Sequence, residues 1–432
     1  MLRGRRRQDA ILEQSRRNDA LCQGVKDEVV VITEASERRS GILNGARPTS
    51  EDDTATTFEL FFDLVYVFAM TQVTGYMVHA HDALGVFQGL LVLALLWWTW
   101  CAYAWLGNQA RADIGVVRAA MAVAMAALFV VALTIPEAWD DAEGGLDGPL
   151  VLVGAYLLVR CVHLSVYAVA ARGDPGLRRQ LAISWVPTLA GAFLLVAGVL
   201  LGGQLQTLFF AGALVVDWGG IYLTSREGNW RIHSAPHWTE RHGLFIILAI
   251  GESVVAIGVG AAGQPISAPL LAAGVLGIAA ALCLWWLYFD VVSRAAEHRL
   301  RDARGQARVR MAIEAYTYGH FPIVAGIIVG AVGVEGVLAH AGEGEPLGLF
   351  YAAALYGGFA LYLAGHLLFK QRMYAALSVG RLVTVGVLLL VLPAAAFQPP
   401  LVGLAGLVLP LGVLIGVETR RYAALRVGVR PG

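Results

Sequence analysis

Charge is what this sequence has little of. Asp, Glu, Lys and Arg make up 15% of its 432 residues, where a soluble domain usually carries about 25%. That shortage argues against a soluble globular enzyme. Acids and bases number 32 each, so no excess charge is available to hold a polyanion, and no nucleic-acid partner is expected. Cysteine is equally scarce. Cys22, Cys101, Cys161 and Cys283 have neither metal-like nor disulfide-like spacing, and three of them fall in apolar runs. They read as small buried side chains. The Walker-type GxxxxGK loop, the HExxH pair and the CxxC pair are all absent, and no metal or cofactor is expected. Residues 1–40 hold no apolar core of about 7–15 residues before a small-residue cleavage site, so no signal peptide is expected there.

Apolar residues are abundant instead. They form 57% of the chain, with 50 Gly, and the mean hydropathy is +0.64. About 20 helical residues span the hydrocarbon of a bilayer. Twelve runs approach that length: 58–79, 84–106, 113–135, 149–171, 181–201, 207–224, 241–261, 268–292, 313–339, 347–369, 375–396 and 400–418. They are too long and too uniformly apolar for barrel strands. An all-α polytopic membrane protein is expected.

The basic residues partition along these runs. Of the 32 Lys and Arg, all but Arg160 fall in the two tails or in every second connection. Short cytoplasmic loops are enriched in Lys and Arg. Twelve spans with both termini cytoplasmic follow, in a bacterial inner membrane. The tails cover 1–55, expected to be flexible, and 421–432. The Arg cluster at Arg3, Arg5, Arg6 and Arg7 suits either anionic lipid or the setting of topology.

Twelve spans divide into two sets of six, 56–226 and 227–420. Trp97-Trp98 and Trp285-Trp286 are 188 positions apart, and Asp63 and Glu252 are 189 apart. These offsets suggest two parallel six-helix repeats about an axis normal to the bilayer.

Ionisable residues within a span are costly and usually meet a partner or a water-filled cavity. Glu59 and Asp63 share a helix face, with Tyr66 and Met70 continuing it. Glu59 falls near the cytoplasmic boundary, where solvation is the simpler expectation; Asp63 lies one turn deeper. Tyr156, Arg160, His163 and Tyr167 form one polar stripe. Arg160 lies close to mid-membrane, where its fork suits a carboxylate from another helix, and Asp63, Asp217 and Glu252 are the candidates. His163 on that face is a candidate proton carrier. Glu252 is the deepest acid, and its neighbours Gly251 and Ser253 offer backbone room and a hydroxyl. Asp290 is expected near the cytoplasmic surface, beside Arg294.

Several of these segments carry a family resemblance. Glu59-Leu-Phe-Phe-Asp63-Leu-Val-Tyr-Val-Phe68 resembles the signature of the bacterial low-temperature-requirement A family. Glu240-Arg241-His242-Gly243 through Gly251-Glu252-Ser253 is similar to its second signature, and Trp97-Trp98-Thr99-Trp100 and Trp285-Trp286-Leu287-Tyr288-Phe289-Asp290 to its Trp-rich helices. The likeness runs from about residue 55 to about 420. It implies a polytopic bacterial inner-membrane protein and no particular reaction. Phe61-Phe62-Asp63 is also similar, more weakly, to the Phe-Ser-Asp motif of six-helix potassium channels. Phe62 and Thr57 depart from that motif and its upstream Arg.

Three functions compete. Asp63, Asp217 and Glu252 against Arg160 leave an excess of negative charge, which suits a secondary transporter or ion pathway that binds protons, cations or a small solute. A sensor or scaffold of membrane state is the alternative, and a membrane-embedded enzyme the third. Besides lipid, a second copy of the chain is a conceivable partner.

Overall fold

The computed structural model describes residues 48–225, 228–290 and 292–421. Most of the two expected tails, including the N-terminal Arg cluster and Cys22, lies outside these residues.

Fourteen helices are described: α1 (Thr57–Ala80), α2 (Ala83–Gln109), α3 (Gly115–Thr134), α4 (Gly148–Ala170), α5 (Pro175–Leu201), α6 (Gly203–Ser225), α7 (Ala235–Ala261), α8 (Ala268–Phe289), α9 (Val292–Asp302), α10 (Gly305–Met311), α11 (Phe321–Ala339), α12 (Leu349–Tyr374), α13 (Val379–Ala395) and α14 (Pro400–Arg421). A π-helical stretch, Ala312–Tyr318, joins α10 to α11. Polar residues mark the starts. Thr56 and Glu59 form a capping box on α1, and Asp82, Asp147, Asp174, Ser234 and Ser267 cap α2, α4, α5, α7 and α8. Pro149, Pro175, Pro236, Pro269 and Pro322 stand in first turns, where the missing N–H costs nothing.

Among the described residues, eleven helical segments are long and apolar enough to cross a membrane. The remaining expected span, 375–396, shortens to α13, with 17 residues. At 1.5 Å per residue it is about 25 Å long, short of the roughly 30 Å of hydrocarbon. Its start is set back by Ala375, a left-handed cap on α12, and by Ser378. The run 313–339 is also not one regular α-helix, because the π-helical turn occupies its first six residues. Large apolar side chains such as Val186, Phe193, Leu200 and Leu390 point away from the protein interior. That is the surface a bilayer covers.

α2 and α11 are the most enclosed helices, and the bundle packs around them. The same helix pairs meet in each set of six. In the first, α1 packs on α2 and α3, α3 on α4, α4 on α5, α5 on α6, and α6 back on α2. In the second, α7 packs on α8 and α11, α11 on α12, α12 on α13, α13 on α14, and α14 back on α8. The sets join chiefly through α1 and α7. Glycine makes the closest approach, between α11 and α12: a Cβ on Gly326, Gly333 or Gly358 would collide with the opposing backbone.

Residues 48–55 are held against the bundle rather than loose. Thr49 Oγ1 donates to the Gly107 carbonyl at 2.8 Å, the Ala55 N–H to Glu240 Oε2 at 2.8 Å, and Ser234 Oγ to the Asp53 carbonyl at 2.7 Å. The flexible tail expected over 1–55 therefore does not include its last eight residues.

Candidate functional site

Among the described residues, three of the polar clusters inside the bundle hold the ionisable residues singled out from the sequence. The first lies between α1 and α7. Glu59 and Asp63 are four apart, and so are His237 and Arg241, so each pair shares a helix face. Arg241 holds Asp63 with both terminal nitrogens, Nη1 to Oδ2 at 2.7 Å and Nη2 to Oδ1 at 3.0 Å. Its Nε lies 3.6 Å from Glu59 Oε1. His237 Nε2 contacts the same Glu59 oxygen at 3.0 Å, and Trp100 Nε1 donates to Asp63 Oδ1 at 3.0 Å. All are buried. Two carboxylates thus face one guanidinium, with His237 beside Glu59.

This corrects two expectations. Glu59 is not solvated, because residues 48–55 and the start of α7 cover it. Arg241 is not a loop cation, because α7 begins six residues before it. Glu240 faces the edge, where it accepts from Ala55.

The second cluster is centred on Arg160. Its Nη2 donates to Thr188 Oγ1 at 3.0 Å and to Asp217 Oδ2 at 3.1 Å. Trp98 Nε1 and Thr188 Oγ1 also donate to Asp217, at 2.7 and 3.0 Å. Of the three candidate acids, Asp217 meets Arg160, and Asp63 and Glu252 do not. Gly191 on α5 allows the approach, since a Cβ there would sit 3.2 Å from the Asp217 Cβ. Above this pair lies a cavity of about 70 Å³. The α4 stripe lines it with Arg160, His163 and Tyr167, while Tyr156 faces a smaller void on the other side of Arg160. Trp98, Trp105, Trp230 and Tyr318 supply aromatic walls.

The π-helical turn shapes one wall. The Thr317 carbonyl, on that turn, takes a donor from another helix. Trp97 Nε1 donates to that carbonyl at 2.8 Å, and Trp105 Nε1 to Thr317 Oγ1 at 3.1 Å.

The third cluster is sparse. Glu252 Oε2 accepts from Thr71 Oγ1 at 2.5 Å. Thr74 on α1 and Glu335 on α11 also act on it. Ser253 Oγ is buried without a partner. Gly251 admits no close backbone, because a Cβ there would meet nothing within 4 Å and α7 runs through it unbroken.

The 189-residue offset does not describe the packing. Glu59 meets His237 and Asp63 meets Arg241, each 178 apart, and Thr71 meets Glu252, 181 apart. Glu252 is eleven residues past Arg241, which is about 16 Å along the helix. Asp63 and Glu252 are therefore at different levels. The Trp pairs differ too. Trp97 and Trp98 are 1% and 5% exposed, whereas Trp285 and Trp286 are 42% and 41% exposed. Asp290 stands at the C-terminal end of α8. Reading the sequence missed Thr71 and Thr188, since lone threonines in apolar helices carry no signal. It also missed the buried pair of Arg381 Nε with Glu418 Oε1, at 2.9 Å.

Comparison with known proteins bears on the whole bundle. The profile of the bacterial low temperature requirement A protein (LtrA) matches residues 54–416. An uncharacterized protein of Rhizobium meliloti is 31% identical over 346 residues, covering 75% of this chain and 79% of its own. No solved structure matches. The profile takes in both signature segments and nearly every described helix. The chain belongs to the bacterial low temperature requirement A family of membrane proteins.

Proposed function

We propose that this protein is a proton-coupled secondary transporter of the bacterial inner membrane, with Glu252 as its proton site. One observation carries the reading. Asp63 and Glu59 share Arg241, Asp217 has Arg160, and Glu418 has Arg381. Glu252 is equally enclosed, yet among the described residues it meets hydroxyls and another carboxyl group rather than a cation. An uncompensated buried carboxylate is expensive. A proton or a small cation relieves that cost, and releasing it elsewhere in a cycle does coupled work.

The packing supports a doubled architecture. The matching helix pairs of α1–α6 and α7–α14 suit two parallel repeats, 56–226 and 227–420, that rock against each other at α1 and α7. Side chains that meet across α1 and α7 are 178–181 residues apart, so Asp63 lies level with Arg241 rather than with Glu252.

The test uses purified protein in liposomes under an imposed pH gradient, with a trapped pH-sensitive dye. The protein should carry a proton flux, and Glu252→Gln should abolish it without changing the melting temperature. Unaltered flux in Glu252→Gln would overturn the assignment. Absence of any flux in the unmutated protein would favour a sensor or scaffold.

A further inference from the structure

The cavity beside Arg160 holds polar atoms that the bundle itself does not satisfy. Among the described residues, Arg160 Nε, Tyr167 Oη and both ring nitrogens of His163 are buried without a hydrogen-bond partner, although the Ala102 carbonyl lies beside the His163 ring. All three side chains project from one stripe of α4 into the same space. Buried polar groups are ordinarily paired, and an orphan costs about 1–3 kcal/mol. Three orphans facing one cavity point to something that binds there.

We propose that this cavity binds a small amphipathic carboxylate with an aromatic or branched apolar body. Three features of the cavity select such a ligand. The first is donor chemistry. Arg160 Nε–H can only donate, Tyr167 offers an O–H, and a neutral His163 offers one N–H. Together they ask for an acceptor. The competing acceptor, Asp217, is already taken up by Trp98, Thr188 and Arg160 Nη2. An ammonium group entering here would face donors.

The second is size. The cavity volume of about 70 Å³ is several times the roughly 10–15 Å³ that one ordered water needs, so the space is not that of a lone water. The third is the wall. Trp98 stacks on Trp218 with centroids 5.2 Å apart, and Trp105 packs on Trp230 at 5.6 Å. Leu164, Leu181 and Ile221 complete an apolar surface with no charge of its own. Aromatic walls held this way accept a flat or branched apolar body. The ligand then lies with its carboxylate on the α4 stripe and its body toward Trp105.

The inference deepens the transporter reading by naming its substrate class, but the site is tested by binding alone. Purified protein in detergent, with no gradient imposed, is titrated calorimetrically with 3-phenylpropionate and with 3-phenylpropylamine. The acid should bind at least about ten-fold more tightly than the amine. Tyr167→Phe keeps the ring and removes the O–H, and should weaken acid binding by about ten-fold, the loss of one hydrogen bond to a charged group. Ala102→Phe should block the cavity and abolish binding. Both variants are compared only as monodisperse protein, so either can stand if the other fails to fold. Equal affinity for acid and amine, undiminished binding in the variants, or no binding to the unmutated protein would overturn the proposal. A proton flux that survives such a result would leave the Glu252 assignment standing, and absence of flux would leave a positive titration standing.

Discussion

Arg241 grips both carboxylate oxygens of Asp63 across the contact between α1 and α7, at 2.7 and 3.0 Å. The guanidinium also lies 5.5 Å from the centre of the Trp100 indole, whose N–H donates to the same acid. One side chain thereby ties together α1, α2 and α7, and with them the two sets of six helices.

Removing that side chain strands two acids. Arg241→Ala should cost about 3–5 kcal/mol, as expected for breaking a buried pair, and appear as a large drop in melting temperature in detergent. Arg241→Lys should recover little, because an ammonium cannot reproduce the two-pronged contact. Asp63→Asn combined with Arg241→Gln should be milder than Arg241→Ala alone. A Lys variant as stable as the parent would contradict the geometry.

The pair of Arg160 and Asp217 makes a similar prediction with a different readout. Asp217→Ala leaves the guanidinium, the Trp98 N–H and the Thr188 hydroxyl without their shared acceptor. It should destabilise by about 3–5 kcal/mol. Trp98→Phe, which removes one donor and leaves the charges paired, should cost only about 0.5–1.5 kcal/mol for its hydrogen bond, plus any lost packing. Equal melting temperatures for the two variants would refute this ordering.

Two glycines should behave in opposite ways. Gly333→Val drives a side chain into the α12 backbone at Leu355 and should reduce both yield and melting temperature. Gly251→Ala meets open space in an unbroken helix and should be neutral or stabilising by up to about 1 kcal/mol, the helix-propensity difference. Thermal melts of the two purified variants decide it.

Orientation has its own test. From the partition of basic residues, residue 145 is expected on the periplasmic side and residue 305 on the cytoplasmic side. A periplasm-active reporter fused at 145 and a cytoplasm-active one at 305 should both be active. Activity only with the reporters exchanged would reverse the topology.

Local chemistry was readable without coordinates. Long apolar runs announce helices, Asp, Ser and Pro mark their starts, and the four-residue spacing of Glu59 and Asp63 puts both on one face. Those features depend on neighbours within a turn or two. Arg160 also announced its need for a carboxylate, because no guanidinium stays unpaired in an apolar helix. Which acid would answer was a question of packing. Asp217 answers because α6 approaches α5 at Gly191, and Asp63 is already held by Arg241.

The level of Glu252 was likewise decided by packing. Two recurring motifs suggested offsets of 188 and 189, but the side chains that meet across α1 and α7 are 178 to 181 apart. Helices slide until their polar pairs and small residues fit, and no periodicity within one helix records that slide. The sequence by itself determined that the chain is a bundle of apolar helices with a few buried charges. Only the tertiary structure decided which charges are neutralised and which carboxylate is left with hydroxyls. It also decided where unsatisfied donors surround empty space, because each of these depends on residues brought together from helices far apart in the chain.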